Sequence, residues 1–101
     1  MLAGAGQAAD LARAEALLAL ARDAEAFAIY RRLAEGAEAR ADRSDVFWRS
    51  WSRLLEIIRR QDATRQRAEE IEREIRRLRI IDPRLGGDPH RRRIESLSGE
   101  G

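Results

Sequence analysis

The 101-residue chain contains no cysteine. Disulfides, thiolate nucleophiles and cysteine-bound metals are therefore excluded, and the redox compartment leaves no mark. Lysine is absent too, so all 20 basic residues are arginine. Proline occurs only at Pro83 and Pro89, which leaves everything before them free of the strongest helix breaker. A single histidine, His90, gives a Cys–His or Ser–His catalytic pair no basis. No apolar stretch approaches the roughly 18 residues of a membrane span. The opening Met1-Leu-Ala-Gly-Ala-Gly carries no basic residue and does not read as a signal peptide. The cytoplasm is the default expectation, with no membrane partner.

What is present points to helices. Hydrophobic residues make up 44% and charged residues 38%, too apolar for a disordered chain and more charged than an average globular one. Long charged helices, each with one buried stripe, satisfy both figures. The expected class is all-α: two antiparallel helical hairpins over residues 10–83. Small residues at 1–9 read as a flexible tail, and 84–101 as a polar tail.

Four stripes place the helices. With Asp10 as N-cap, Leu11, Ala14, Leu17, Leu18 and Ala21 recur at helical spacing. Asp23 can cap a second helix carrying Ala26, Phe27, Tyr30, Leu33 and Ala37, with Gly36 positioned to end it; no Gly or Pro marks the break near Asp23, so one bent helix is the alternative. Ser44 or Asp45 opens a third, where Phe47, Trp48, Trp51, Leu54, Leu55 and Ile58 share a face. Asp62 or Thr64 caps the fourth, expected from Arg65 to Ile80 with Ala68, Ile71, Ile75 and Leu78 buried. Asp82-Pro83 stops it. Beyond it, Ile94 and Leu97 are a weak apolar pair, enough for a loose tail or one short helical turn.

Charge does not mark a site. Arginine suits bidentate binding of phosphate or carboxylate, but the net charge is only +2, and a GC-rich coding bias accounts for the abundance of Ala, Arg and Gly. His90 with Arg91, Arg92 and Arg93 lacks interleaved aromatic residues and reads as solvated tail, so nucleic acid is disfavoured. Glu69, Glu70, Glu72 and Glu74 lack the helical histidine that a di-metal bundle pairs with glutamate. No catalytic residue, cofactor or metal site is expected. Tyr30, Phe47, Trp48 and Trp51 are the candidates for a partner surface, because aromatic residues are enriched in binding hot spots. Their place on the stripes favours core for both tryptophans, Trp51 more strongly than Trp48.

The segment Ala19-Leu-Ala-Arg-Asp-Ala-Glu-Ala-Phe-Ala-Ile-Tyr-Arg-Arg-Leu33 resembles the middle of a tetratricopeptide repeat. Ala14 and Leu17 take the small and aromatic positions of the first helix, and Ala26 and Tyr30 those of the second. Asp10 and Arg13 stand where that family prefers large apolar residues, and Ala21 replaces the glycine of the interhelix turn. Trp48, Trp51, Ser52 and Leu55 are similar to a second first helix, and Ile75, Leu78 and Asp82-Pro83 to the end of its partner. That second unit is longer by about two helical turns, and Ile71 occupies a small-residue position. The resemblance spans Leu11 to Pro83. It implies a non-enzymatic protein–protein interaction scaffold that takes a protein or peptide partner, either a small bundle or the C-terminal part of a longer array. A self-associating structural protein is the alternative, with a basic nucleic-acid-binding protein behind it.

Overall fold

A computed structural model describes residues 3–98. Among them are five helices and no strand: α1 (Ala3–Ala19), α2 (Asp23–Ala39), α3 (Asp45–Gln61), α4 (Ala68–Ile81) and α5 (His90–Glu95). The chain gathers into two units, the first ending at Leu54 and the second beginning at Leu55, so the boundary falls inside α3.

The first unit is built on the α1–α2 hairpin. Asp10 lies near Arg32, and Glu15 near Tyr30, a descending register that makes the two helices antiparallel. Ala14, Leu17, Ala26, Ile29, Tyr30, Leu33, Ala34 and Ala37 are buried. The residues read as an N-terminal tail are helical from Ala3 onward, and Asp10 lies inside α1 rather than capping it. Alanine is the best helix former, and its density here carries the helix through Gly4 and Gly6. Met1 and Leu2 fall outside the described residues. Gly36 does not end α2, which continues to Ala39.

Both helices of the hairpin stop in the same way. The Arg22 N–H donates to the Leu17 carbonyl at 2.9 Å and the Ala21 N–H to Leu18 at 3.0 Å. At the end of α2, Asp42 donates to Ala37 at 2.8 Å and Ala41 to Glu38 at 3.0 Å. These are Schellman motifs, which satisfy the last carbonyls and need a left-handed residue, usually glycine. Alanine fills that position twice, with Ala21 at φ 61° and Ala41 at φ 56°.

Carboxylates shape the following turns. Asp42 accepts the Ser44 N–H at 2.9 Å just before α3. The Ser44 hydroxyl and N–H hold the Asp42 carboxyl below its ordinary range. Helix α3 begins with Asp45 and ends with Arg59 and Arg60, each favourable to the helix dipole. Asp62 then accepts the Gln66 N–H at 2.9 Å and the Arg67 N–H at 2.7 Å. That turn holds Arg65 at φ 60°, so α4 starts at Ala68 rather than Arg65.

In the second unit Ile57, Ile58, Ile71, Ile75 and Leu78 are buried as their spacing predicts, Ile57 being added from beside the expected stripe. The stretch from 84 is not a plain polar tail. Asp82 accepts N–H bonds from Arg84 at 3.0 Å and Gly86 at 3.2 Å, folding the chain back. Leu85, His90 and Ile94 are buried, so α5 is part of the unit. Arg93 lies 3.9 Å from Glu56, and the Ser98 hydroxyl donates to Glu72 at 2.9 Å. His90, read as solvated, is only 4% exposed.

The helix ends yield a prediction in which opposite substitutions, Ala to Gly and Gly to Ala, have the same stabilising sign at neighbouring sites. Left-handed backbone costs an L-residue roughly 1–2 kcal/mol, partly offset by the greater chain freedom glycine gives the unfolded state. Ala21→Gly and Ala41→Gly should each stabilise the protein by about 0.5–1 kcal/mol. Gly36→Ala should also stabilise by about 0.5–1 kcal/mol, because Gly36 is inside a helix. Its added Cβ would meet only the flexible end of Arg40, at 3.2 Å. Urea unfolding followed by circular dichroism checks all three. A loss of stability in Ala21→Gly would mean that α1 does not end in this motif.

Candidate functional site

The most organised polar cluster in the first unit is centred on Glu15. This carboxylate sits on α1 between Leu11 and Leu18, one turn away on either side, and is about one-third exposed. The Tyr30 hydroxyl, from α2, donates to one of its oxygens. Arg53, from α3, reaches both oxygens: Nε to Oε2 and Nη2 to Oε1, each at 3.2 Å. A two-pronged guanidinium–carboxylate pair fixes direction as well as distance. Three helices therefore meet on one side chain.

The electrostatics follow from that geometry. Burial by itself would raise the Glu15 carboxyl. The Tyr30 hydroxyl and the Arg53 guanidinium, with the nearby charge of Arg49, outweigh burial and hold it below the ordinary carboxylate range. Burial and the adjacent Glu15 charge push the Tyr30 phenol well above its usual range, with Arg53 opposing only in part. Both groups are thus held in their neutral-pH forms, Glu15 ionised and Tyr30 protonated. A poised acid or base would have the reverse arrangement, with a pKa drawn toward neutrality.

The aromatic candidates divide by burial. Tyr30 and Phe47 are fully buried and Trp48 is 3% exposed, whereas Trp51 is half-buried. The order expected for the tryptophans is therefore reversed: Trp48 is the deeper one. Phe47 and Trp48 meet edge to face, with ring centroids 4.9 Å apart at 85°. The Arg43 guanidinium lies 4.8 Å from the Phe47 ring centre and covers it. Tyr30 contacts Glu15, but no comparable polar partner gathers Phe47 and Trp48 into that cluster.

Sequence reasoning did not single out Glu15 and Arg53. The available signal was a charge at position 15 inside an alanine–leucine stripe, with leucines four residues before and three after it. Position 53 gave no such warning, because Arg53 flanks the aromatic stripe like any snorkelling arginine.

Shallow surface concavities occur on both units. On α2, half-buried Phe27 with Ala28, Arg31, Arg32, Glu35 and Gly36 lines one. In the second unit, Arg79, Arg92, Glu95 and Ser96 line another, where Arg79 is 3.9 Å from Glu95. Among the described residues no three His, Asp or Glu side chains converge so as to hold a metal ion. No helix among them is long and apolar enough to cross a membrane.

Tyr30→Phe keeps the ring and removes the hydroxyl, leaving Glu15 with Arg53 alone. A hydrogen bond to a charged group contributes about 1.5–3 kcal/mol, and a loss of this order is expected at neutral pH. The pH dependence has a definite sign at each end. The depressed Glu15 pKa gives stability that is present above the ordinary carboxylate range and lost as pH falls through the folded value. The raised Tyr30 pKa gives stability that is present below the ordinary phenol range and lost as pH rises beyond it. Urea unfolding across pH should show both limbs in the parent. Glu15→Gln should flatten the acid limb and Tyr30→Phe the alkaline one. Identical pH profiles in parent and variants would remove the cluster from the folded state in solution.

No protein-family model matches the chain, and no curated protein or solved structure is detectably similar to it.

Proposed function

We propose that this chain is a non-enzymatic protein–protein interaction module of tetratricopeptide-like helical-hairpin type. The observation that carries the reading is the exposure of two large aliphatic side chains, Leu20 at 67% and Ile80 at 85%, one in each unit. An exposed aliphatic side chain is common enough singly. Here the exposed pair stands out because the neighbouring leucines and isoleucines of α1 and α4 are largely buried or half-buried. The hairpin supports the same reading: Ala14, Ala26 and Tyr30, the packing positions of the resemblance, are all fully buried. The Glu15 cluster adds to it from the other side, since its groups are held in forms that suit structure rather than proton transfer.

Site-specific photo-crosslinking tests the proposal. A photoreactive residue at position 20 or 80, introduced into the full chain in cells, should give protein adducts of defined mass. The same residue at exposed, polar Gln66 should give none. Adducts between two copies of the chain would favour the self-associating alternative instead. An absence of protein adducts at both 20 and 80 would overturn the interaction reading.

A further inference from the structure

Two Asp–Pro bonds interrupt the second unit, Asp82–Pro83 and Asp88–Pro89, and they stand in different surroundings. Asp82 is half-buried, and its two oxygens accept the Arg84 and Gly86 N–H groups at 3.0 and 3.2 Å. That carboxylate is committed to its turn. Asp88 and Pro89 are both exposed. The Asp88 oxygens face the exposed guanidiniums of Arg92, at 3.5 Å, and Arg91, at 3.8 Å. Gly87, just before, holds φ 78°, and the space where its side chain would stand is open. Leu85 on one side and His90 on the other are buried, so the loop is pinned at both ends with the Asp88–Pro89 bond in solvent.

An aspartate followed by proline has a reaction that other pairs mostly lose to a competitor. Where an ordinary residue follows, its backbone nitrogen attacks the side chain and closes a succinimide ring. Pro89 has no N–H, so that route is closed. What remains is attack by the side-chain oxygen on the residue's own main-chain carbonyl, which closes a five-membered ring. Ring closure within one residue avoids the entropy cost of bringing two groups together, and a pinned loop lowers that cost further. A carboxylate is a competent nucleophile when it is placed in this way. The group that leaves is the nitrogen of a tertiary amide, more basic than an ordinary amide nitrogen and able to take a proton from solvent.

We infer that the folded chain cleaves itself between Asp88 and Pro89 and spares Asp82–Pro83. An Asp88 carboxylate oxygen attacks the Asp88 carbonyl carbon. The C–O bond forms, the C–N bond to Pro89 breaks, and the departing nitrogen takes a proton from solvent. The products are a cyclic anhydride at Asp88 and a secondary amine at Pro89. Water then adds across the anhydride, which opens to the side-chain carboxylate and a new main-chain carboxylate and returns protons to solvent. In sum one water is consumed, and no oxidant, reductant or cofactor enters. The chain has neither lysine nor cysteine to intercept the anhydride, so water or an added nucleophile takes it. The released segment stays docked, because Ile94 is buried, Arg93 lies 3.9 Å from Glu56, and Ser98 donates to Glu72. The event occurs once per molecule and is independent of the interaction reading above.

Mass spectrometry of the full chain, incubated in mildly acidic buffer and then denatured, tests it. Fragments 1–88 and 89–101 should accumulate at least about tenfold faster than fragments 1–82 and 83–101. In concentrated urea, which removes the pinning and the Asp82 turn alike, the two bonds should cleave at similar rates. Hydroxylamine added during the incubation should leave fragment 1–88 as its hydroxamate, the trapped anhydride. Asp88→Asn, at an exposed position, should keep the parent's circular dichroism and lose cleavage at this bond, whereas Asp82→Asn should retain it. A chain that stays intact, equal cleavage at both bonds in the folded protein, or an unchanged preference in urea would each overturn the inference. So would cleavage of Asp88→Asn at the same bond, or fragment 1–88 formed in hydroxylamine without any hydroxamate.

Discussion

A carboxylate placed among alanines and leucines constrains the first unit more than any single apolar contact. Glu15 loses part of its water when α1 packs, and an unpaired charge in that position is costly. Tyr30 from α2 and Arg53 from α3 supply what the solvent no longer does. The constraint matters because an alanine-rich face is smooth. Ala14, Ala26, Ala34 and Ala37 bring helices close but offer shallow knobs, leaving Leu17, Ile29 and Leu33 to supply the apolar relief. A slip of one turn would carry Glu15 away from both partners. The polar cluster thus adds a directional pairing to the register that the buried Leu17, Ile29 and Leu33 share in setting.

The helix ends obey a second constraint, the need to satisfy backbone groups where the ladder stops. This chain does so with little glycine. Ala21 and Ala41 accept left-handed geometry so that Schellman bonds can form, and Arg65 and Leu85 take positive φ in the turns around α4. Asp42, Asp62 and Asp82 gather the N–H groups of the residues just ahead of them. At Asp42 and Asp62 aspartate punctuates the chain with no glycine or proline in the turn, and at Asp82 it works together with Pro83, Gly86 and Gly87, a use that follows from its short side chain and two acceptor oxygens.

These constraints leave the functional surface to the outward faces. Tyr30, Phe47 and Trp48 are engaged in packing, so they are poor candidates for direct partner contact. The exposed faces carry arginine and carboxylate pairs at helical spacing, such as Arg31–Glu35 and Arg67–Glu70, which contribute little to stability and keep the surface wet. Against that background Leu20 and Ile80 are the exceptions, and Ile80 is set in the more basic of the two units.

The helical class and the four long helices were legible in the sequence, because periodic burial is a local property. Ala26, Tyr30 and Leu33, or Ile71, Ile75 and Leu78, announce their face by spacing alone. The turn before α4 was legible at Asp62, but neither Asp62 nor Thr64 caps the helix: the N-cap position is Arg67 without a side-chain cap bond, and Asp62 serves the Gln66 and Arg67 N–H groups of the preceding turn. What tertiary structure decided depends on residues far apart in the chain. Glu15 meets Arg53 across 38 positions, and no local pattern encodes that pairing. Leu85, His90 and Ile94 look like a polar tail when read in order, because their burial depends on the Asp82 turn folding them back onto the second unit. Likewise the left-handed alanines could not be read from alanine's preferences, which favour continuing a helix. Only the packing of α1 on α2 requires the chain to turn at Ala21, and the backbone accepts the strain there.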